Sequence, residues 1–243
     1  MAAHPRIYFF GDVHGQFQHV LNIVQRDAPD AIILLGDLEP SRPLDVILGP
    51  ILNKTIVRFI HGNHDTDSWP YYENVFRSPI STMNLHGRVE EICGIRIAGL
   101  GGVFRQRVWR PPTKPVYSSY EDFLEALNGS RPPRERKSSQ SITSVQEREH
   151  VSSIFANTVQ ELAQQDADIL VSHEAPSCHP NGFAAIDGMA RAMGVRLAYH
   201  GHHHQQLAYR SHWRTLGFRA YGVGTRNVAC LQLADLAPLA SAA

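Results

Sequence analysis

Three short apolar runs in the first quarter of the chain each end in a glycine that is followed by Asp or Asn. The runs cover residues 6–10, 31–35 and 55–60. The closing dipeptides are Gly11-Asp12, Gly36-Asp37 and Gly62-Asn63. Their spacing of 25 and 26 residues matches one strand plus one helix, which predicts a β-α-β-α-β order with parallel strands. Because parallel strands end at one edge of a sheet, we expect the polar residues to meet there.

Further elements are predicted downstream. A tight hairpin around Cys93-Gly94 joins strands at 89–92 and 95–99. Ser144 and Glu147 match a capping box, and the apolar spacing after them predicts one long amphipathic helix that reaches Leu162. The remaining predicted elements are strands at 168–172, 195–200, 218–223 and 228–233 and a short helix near 187–193.

The segment that begins at Arg105 interrupts this regular pattern. Up to Lys137 it is rich in proline, and its basic residues outnumber the acidic ones. We interpret residues from about 105 to 140 as a basic, Pro-rich insertion or lid that stays outside the core. With 243 residues, of which 43% are hydrophobic, the chain can build one large core, so we expect a single domain over residues 1–243.

Charge and cysteine usage restrict the partners and the compartment. The 23 Lys and Arg residues balance 23 Asp and Glu residues, so a nucleic-acid role is not favoured and would have to be local. No apolar run approaches the roughly 18 residues of a membrane span, and the start of the chain does not resemble a secretory signal. Three widely spaced cysteines without a C-x-x-C motif indicate reduced thiols, which predicts a cytoplasmic protein.

Five loops, each directly after a predicted strand, hold carboxylate, amide and imidazole side chains. These residues are Asp12 and His14; Asp37; Asn63, His64 and Asp65; His173; and His202 and His204. Oxygen and nitrogen donors without a thiolate suit Mn, Fe, Co, Ni or Zn better than Ca or Mg. The set is too large for a four-coordinate structural zinc site, which indicates two ions that share a carboxylate. We expect the glycines before these residues to adopt φ > 0.

The five motifs, taken in order, resemble those of the calcineurin-like metallophosphoesterase family. They are Gly11-Asp12-Val13-His14-Gly15, Gly36-Asp37, Gly62-Asn63-His64-Asp65, His173 and Gly201-His202-His203-His204. The resemblance spans positions 11 to 204. It implies an α/β fold of the metallophosphoesterase type, in which two mixed β-sheets form a sandwich flanked by helices. It also implies a metal-dependent phosphoric ester hydrolase whose site lies at the carboxyl edge of the parallel strands.

The resemblance assigns roles to individual side chains. Two divalent transition-metal ions would bind, with Mn²⁺ expected first and Fe, Ni, Co or Zn left open. A hydroxide between them would attack phosphorus, His64 would protonate the leaving group, and Asp65 would orient the His64 imidazole. One ion would be held by Asp12, His14 and His204, the other by Asn63, His173 and His202, with Asp37 bridging both.

The first motif is closest to the Ser/Thr protein phosphatase and dinucleoside tetraphosphatase branch, but the next two motifs depart from it. The bridging carboxylate is followed by Leu38-Glu39-Pro40 instead of a segment with arginine, and His61 stands where the branch has arginine. The arginines that hold substrate phosphate in that branch are therefore absent. Arg105, after the Gly101-Gly102 turn, is a candidate for contacting a substrate phosphate.

The motifs leave the substrate and the functional class of the protein open. A phosphorylated small molecule, a nucleotide or a phosphoprotein would each suit a phosphatase. A phosphodiesterase or nuclease that uses the basic insertion is an alternative. A non-catalytic binding scaffold of the same fold is another, although a scaffold has no need of His64 beside a complete ligand set. The oligomeric state does not follow from the sequence.

Overall fold

A computed structural model describes residues 5–131, 133–135 and 142–239. The strands of this part of the chain are β1 Ile7–Phe10, β2 Ala31–Leu34, β3 Ile56–Phe59, β4 Arg88–Ile92, β5 Ile95–Leu100, β6 Ile169–Ser172, β7 Leu197–His200, β8 Leu207–Ala208, β9 Arg219–Gly222 and β10 Val228–Cys230. Its helices are α1 Gln18–Asp27, α2 Leu44–Leu48, α3 Trp69–Phe76, α4 Tyr120–Gly129, α5 Val145–Glu149, α6 Ala156–Leu162, α7 Ala184–Ala192 and α8 Trp213–Leu216. None of these helices has the length and apolar character that crossing a bilayer requires.

The strands form two mixed sheets, as the resemblance implied. The first sheet has the order β10-β1-β2-β3, with β1, β2 and β3 parallel and β10 antiparallel. The second has the order β4-β5-β6-β7-β9-β8, with β5, β6, β7 and β9 parallel. The predicted α/β class and the parallel arrangement of the first three strands are confirmed. The parallel strands of each sheet therefore end at a common edge.

Alternation along the strands decides which side chains fill which layer. On β1, Ile7 and Phe9 belong to the apolar cluster between the two sheets, and the Phe9 ring stacks on Tyr199 of β7 at 4.0 Å. Phe10 points to the other side, where it joins Val20 and Val24 of α1 in the cluster under the helices. Burial on both faces is typical of a parallel strand covered by helices and a second sheet, which explains the continuous apolar runs.

The long helix predicted from Ser144 to Leu162 is wrong. Ser144 caps α5 with the predicted capping box, but α5 ends at Glu149 and α6 begins only at Ala156. Between them a 3-10 turn covers His150–Ser152, and the chain is extended from Ser153 on. Val103 holds it there, because its N–H donates to the Ser152 carbonyl and its carbonyl accepts from the Ile154 N–H. This tertiary pairing overrides the local helical spacing.

The expectation that the segment after Arg105 stays outside any core is wrong for part of it. Val108 and Phe123 are fully or almost fully buried and form a small apolar cluster with Phe155. The hydroxyl of Tyr120, on α4, donates to the Glu147 carbonyl at 2.8 Å. The segment is therefore packed onto the chain around α5 and α6. Arg136 and Lys137, the end of the basic run, lie outside the described residues.

An ion pair links the two sheets at their edges. Arg58 lies on β3 of the first sheet and Glu90 on β4 of the second. The Arg58 Nε donates to both carboxylate oxygens of Glu90 at 2.9 Å, and Nη2 also contacts Oε1. The pKa of Glu90 is lowered, first by this hydrogen bonding and further by the positive charge of Arg58. The pair therefore stabilises the folded state only while Glu90 is ionised.

We expect Glu90→Gln to lower the free energy of unfolding by about 1 kcal/mol near neutral pH, because it removes the ion pair. The pKa of Glu90 in the folded protein lies below its ordinary value of 4.5. The contribution is thus present above that value and is lost as the pH falls through the lowered pKa. Urea unfolding at about pH 7 and about pH 4 measures both effects. Glu91→Gln, at an exposed position of the same strand, is the matched control, and an equal loss in both variants at pH 7 contradicts the prediction.

Candidate metal centre

The side chains predicted as ligands converge at the carboxyl edge of the parallel strands of both sheets. The ligand atoms of Asp12, His14, Asp37 and His204 all lie within 4.8 Å of one another. Those of Asp37, His173 and His202 meet the same limit, so Asp37 belongs to both groups. These groups bring together six of the seven ligands that the family resemblance implied, with Asp37 shared, and the seventh, Asn63, lies beside His173.

Asp37 and His173 form the buried centre of the site. The carboxylate of Asp37 is 1% exposed and His173 is fully buried, with His173 Nε2 3.3 Å from Asp37 Oδ1. His173 Nδ1 lies 2.8 Å from the Leu35 carbonyl and donates to it. A neutral imidazole that donates from Nδ1 carries a lone pair at Nε2, and that lone pair faces the oxygens of Asp37 and Asn63, the latter at 3.2 Å. A proton on Nε2 relieves this repulsion, which agrees with the raised pKa of His173, and a cation among these atoms would take the place of that proton.

The charges of this centre agree with a cation site. Burial lowers the pKa of His173, but the carboxylates of Asp37 and Asp12 outweigh it and raise that pKa to about 10. Burial also raises the pKa of Asp12, whose two oxygens accept the backbone N–H of His202. Two buried carboxylates at one point cost free energy unless positive charge lies beside them. The donor set therefore suits divalent cations.

His14 and His204 form the solvent side of the site. The His204 side chain is 52% exposed, and its Nε2 is 3.2 Å from Asp12 Oδ2 and 3.0 Å from His14 Nε2. His14 Nδ1 is in contact with the Glu39 carboxylate and donates to it, which leaves Nε2 as the free ring nitrogen. Sequence reasoning missed Glu39, although it lies in the segment that departs from the phosphatase branch.

Backbone strain falls on the proposed ligands more than on the glycines before them. Positive φ angles occur at His14 (43°), Asp37 (47°), His202 (67°) and His204 (58°). Strained backbone of this kind gathers at functional sites, where the surrounding structure holds it in place. The expectation of positive φ at the preceding glycines is correct for Gly36 only.

Gly62 is needed for a different reason, which is close approach. A Cβ at this position would lie 2.2 Å from Asp37 Oδ1 and 2.6 Å from His173 Cε1. Any side chain here would therefore collide with the two residues at the centre of the site. The absence of a Cβ allows the loop after β3 to pass directly beside them.

His64 borders the metal centre, and its partner differs from the predicted one. Its side chain is 44% exposed, and its ring centroid is 5.7 Å from that of His14. Nδ1 of His64 lies 2.6 Å from Asp67 Oδ2. The expectation that Asp65 orients this imidazole is wrong, because the short helical turn His64–Thr66 directs Asp65 inward and leaves Asp67 on the side of His64.

Asp65 instead joins two loops of the site. Its Oδ1 accepts the backbone N–H groups of Leu38 and Glu39, and its Oδ2 accepts that of Gly62, each at 2.8 Å. The carboxyl is fully buried, and burial together with the charge of Asp37 raises its pKa to about 7. The side chain thus fixes the loop after β2 against the loop after β3.

Arg105 is engaged in structural contacts. Its Nη1 donates to the Ser152 carbonyl at 2.9 Å and to the hydroxyls of Ser152 and Ser153 at 3.2 Å. Nε lies 3.8 Å from a carboxylate oxygen of Glu149. These contacts engage Nη1 and place a carboxylate beside Nε, so a bidentate phosphate contact through the remaining donors would compete with Glu149, and the role of Arg105 in holding substrate phosphate stays a prediction.

The turn that carries His64 is braced from the distant α5 segment. Arg148 is 6% exposed, and its Nε and Nη2 donate to the carbonyls of Thr66 and Asp67 at 2.9 Å. Its guanidinium also lies 4.9 Å from the centroid of the Trp69 ring. The hydroxyl of Thr66 is 2.6 Å from that of Ser152. Arg148 therefore holds the chain that follows His64, at Thr66, Asp67 and Trp69.

Comparison with known proteins identifies the family. A family model described as calcineurin-like phosphoesterase matches residues 5–206. The chain belongs to the calcineurin-like phosphoesterase family. It is a metal-dependent phosphoester hydrolase, as the sequence predicted. The chain is also 36% identical over 229 residues to an uncharacterized protein of Haemophilus influenzae, with 92% of each chain covered.

Solved structures show the same fold for this phosphoesterase. A Thermus thermophilus protein aligns with a TM-score of 0.56 and 13% identity over 95% of this chain and 100% of its own. A dimetal phosphatase from Danio rerio aligns with a TM-score of 0.50 and 12% identity over 92% of this chain and 88% of its own. At such identities the likeness concerns the fold alone.

We expect Arg148→Met to lower the free energy of unfolding by roughly 3 kcal/mol, because the buried carbonyl of Thr66 and the partly buried carbonyl of Asp67 lose a charged donor. Urea unfolding followed by far-ultraviolet circular dichroism measures the change. Arg77→Met is the matched control, since Arg77 also lies over an aromatic ring, that of Tyr72, but is 58% exposed. We expect the control to change stability by less than about 0.5 kcal/mol. Similar losses in the two variants would show that the hydrogen bonds of Arg148 do not stabilise the turn that carries His64.

Proposed function

We propose that this phosphoesterase hydrolyses phosphate esters at a pair of divalent cations, with His64 donating a proton to the leaving group. What supports the proposal is the shared position of Asp37 in two groups of ligand atoms, with the half-exposed His64 beside them. His64 belongs to neither group, so its side chain is available for proton transfer. Cation binding and proton donation would thus be carried out by different side chains at the carboxyl edge of the strands.

The proposed ligands divide into two sets around Asp37. Asp12, His14 and His204 would hold one cation, and Asn63, His173 and His202 would hold the other, with Asp37 between them. A pair of divalent cations supplies Lewis acidity for a water molecule and for the phosphoryl oxygens. The mixed oxygen and nitrogen donors favour Mn²⁺, while Fe, Co, Ni and Zn suit the same donors.

The hydrogen bond to Asp67 determines which nitrogen of His64 transfers the proton. Nδ1–H is bonded to the Asp67 carboxylate, so Nε2 is the nitrogen that would give its proton to the leaving oxygen. Partial burial lowers the pKa of His64, but the bond to Asp67 and the charge of Asp37 raise it more. The hydrogen bond to Asp67 favours the protonated imidazole, which suits a general acid.

We propose the cytoplasm as the compartment. The three cysteines support it, because Cys93, Cys178 and Cys230 are all free thiols.

The substrate class that we propose is a phosphorylated small molecule, a nucleotide or a phosphoprotein. Ser152 and Ser153 engage Nη1 of Arg105, which leaves this side chain fewer donors for the nucleic-acid backbone that a nuclease would bind through the insertion. Monoester hydrolysis is therefore the reading that we favour.

Metal content tests the cation sites. After dialysis against Mn²⁺ and removal of loose metal, we expect about two ions per chain by plasma mass spectrometry. Asp37→Asn should lose more than one ion, because both groups depend on this carboxylate. Asp67→Asn is the matched control and should retain both ions, since the Asp67 carboxylate contacts His64 and neither ligand group. Wild-type protein without metal, or Asp37→Asn with an unchanged content, would refute the proposal.

Turnover on two leaving groups tests the proton donor. We expect His64→Ala to keep its metal and to lose kcat by about 10² to 10⁴ fold on an alkyl phosphate, and by less on an activated aryl phosphate, which needs less protonation. Asp67→Asn should show the same ranking with a smaller loss. His212→Ala, an exposed histidine far along the chain, serves as the control and should change neither rate. Equal losses on both substrates would rule out proton donation by His64.

A further inference from the structure

A second concave site lies at the edge of the second sheet opposite to the metal centre. Arg196 directly precedes β7 and Arg219 begins β9, so both mark the amino ends of these parallel strands. A cavity of about 700 Å³ opens there, which is within the usual size range of small-molecule sites. Its lining combines arginines with apolar side chains, chiefly Arg191, Arg196, Arg214, Arg219, Val195 and Leu239.

Two of these arginines are fixed in place. Arg196 Nη2 donates to Asp168 Oδ1 at 2.6 Å, and its Nη1 donates to the Leu236 carbonyl at 3.0 Å. Arg219 Nη1 donates to the carbonyls of Asp235 and Ala237 at 2.8 and 2.6 Å. A guanidinium has five N–H donors, so each of these side chains has donors left over for a ligand. Their positions are set before any ligand arrives, which lowers the entropy cost of binding.

The other two arginines carry charge that no carboxylate balances. Arg191, on α7, donates through Nη1 to the Leu216 carbonyl at 3.2 Å. Within the residues that the structure describes, neither Arg191 nor Arg214 has a carboxylate at ion-pair distance. Within the described residues, Asp168 pairs with Arg196 and Asp235 pairs with Arg219. Four guanidinium groups therefore face two carboxylates, and an excess of about two positive charges is left at the cavity.

We propose that this cavity binds an organic phosphate, in which a dianionic phosphate is joined to an apolar ring or chain. The charge excess matches a phosphate dianion, and the fork of donors on guanidinium matches its oxygens. The apolar part of the lining, which includes Val195, Pro238 and Leu239, gives the body of such a ligand a surface to pack against. Inorganic phosphate would use only the charged half of this surface.

The proposed site is separate from the catalytic edge. The four residues of β7 lie between Arg196 and the loop that begins at Gly201, which separates these two positions by about 16 Å at the usual rise of a strand. None of the proposed metal ligands lines the cavity. The inference therefore stands independently of the proposed function, and a failure of one leaves the other untouched.

The test is calorimetric titration of the metal-loaded protein with phenylphosphonate, a phosphate analogue that cannot be hydrolysed. Binding at the catalytic cations is common to all variants, so differences between variants report the second cavity. We expect wild type to show two sites, and Arg191→Gln/Arg214→Gln to lose one of them or to weaken it at least about tenfold. Turnover of an aryl phosphate by this double variant should be unchanged, which shows that the fold and the catalytic edge are intact.

A matched control removes the same charge elsewhere. Arg26→Gln/Arg77→Gln changes two exposed arginines whose side chains are 72% and 58% exposed and that do not line the cavity. We expect this control to retain both sites within about twofold. If Arg191→Gln/Arg214→Gln binds phenylphosphonate with the same number of sites and the same affinity as wild type, or if the two double variants lose binding equally, the proposal is overturned. If inorganic phosphate binds the second site as tightly as phenylphosphonate, the apolar wall contributes nothing and the organic class is wrong.

Discussion

The buried contact between Asp37 and His173 is the constraint around which the rest of this phosphoesterase is arranged. An ionised carboxylate and an imidazole without access to water are stable only when their charges and lone pairs are matched. The Leu35 carbonyl fixes the Nδ1 side of His173, so its Nε2 must face Asp37 and Asn63. The same burial lets Asp37 serve two groups of ligand atoms. A pair of cations is the simplest source of the positive charge that this arrangement needs.

The loops around this contact are determined by backbone geometry as much as by side-chain chemistry. Gly62 lets the loop after β3 pass within van der Waals distance of Asp37 and His173. Asp65 joins that loop to the one after β2, and Arg148 holds the turn that follows. These contacts are inside the protein and none of them needs a ligand. The hydrogen bonds of Asp65 and Arg148 thus hold in place the loops that carry the proposed ligands and His64.

Much of the fold and most of the site followed from the sequence, because the signals were local. The strands after which Asp12, Asp37 and His173 lie are short apolar runs closed by polar residues, and each was predicted within a residue or two of its position. The break between α5 and α6 could not be predicted, because it depends on pairing with Val103, almost fifty residues earlier in the chain. The partner of His64 was missed for a similar reason. The direction of Asp65 and Asp67 is set by a helical turn whose placement depends on Arg148.

The order of the ligands along the chain has a consequence for biosynthesis. Asp12 and His202 are 190 residues apart, yet the backbone N–H of His202 donates to Asp12, and His204 completes the group that contains it. The other group needs His173 and His202. A nascent chain that has released only its first half therefore presents Asp12, His14, Asp37 and Asn63 without the later histidines that complete both groups. The proposed pair of cations would gain its complete ligand sets only after residues near the carboxyl end have left the ribosome, so its loading would be one of the last events of folding.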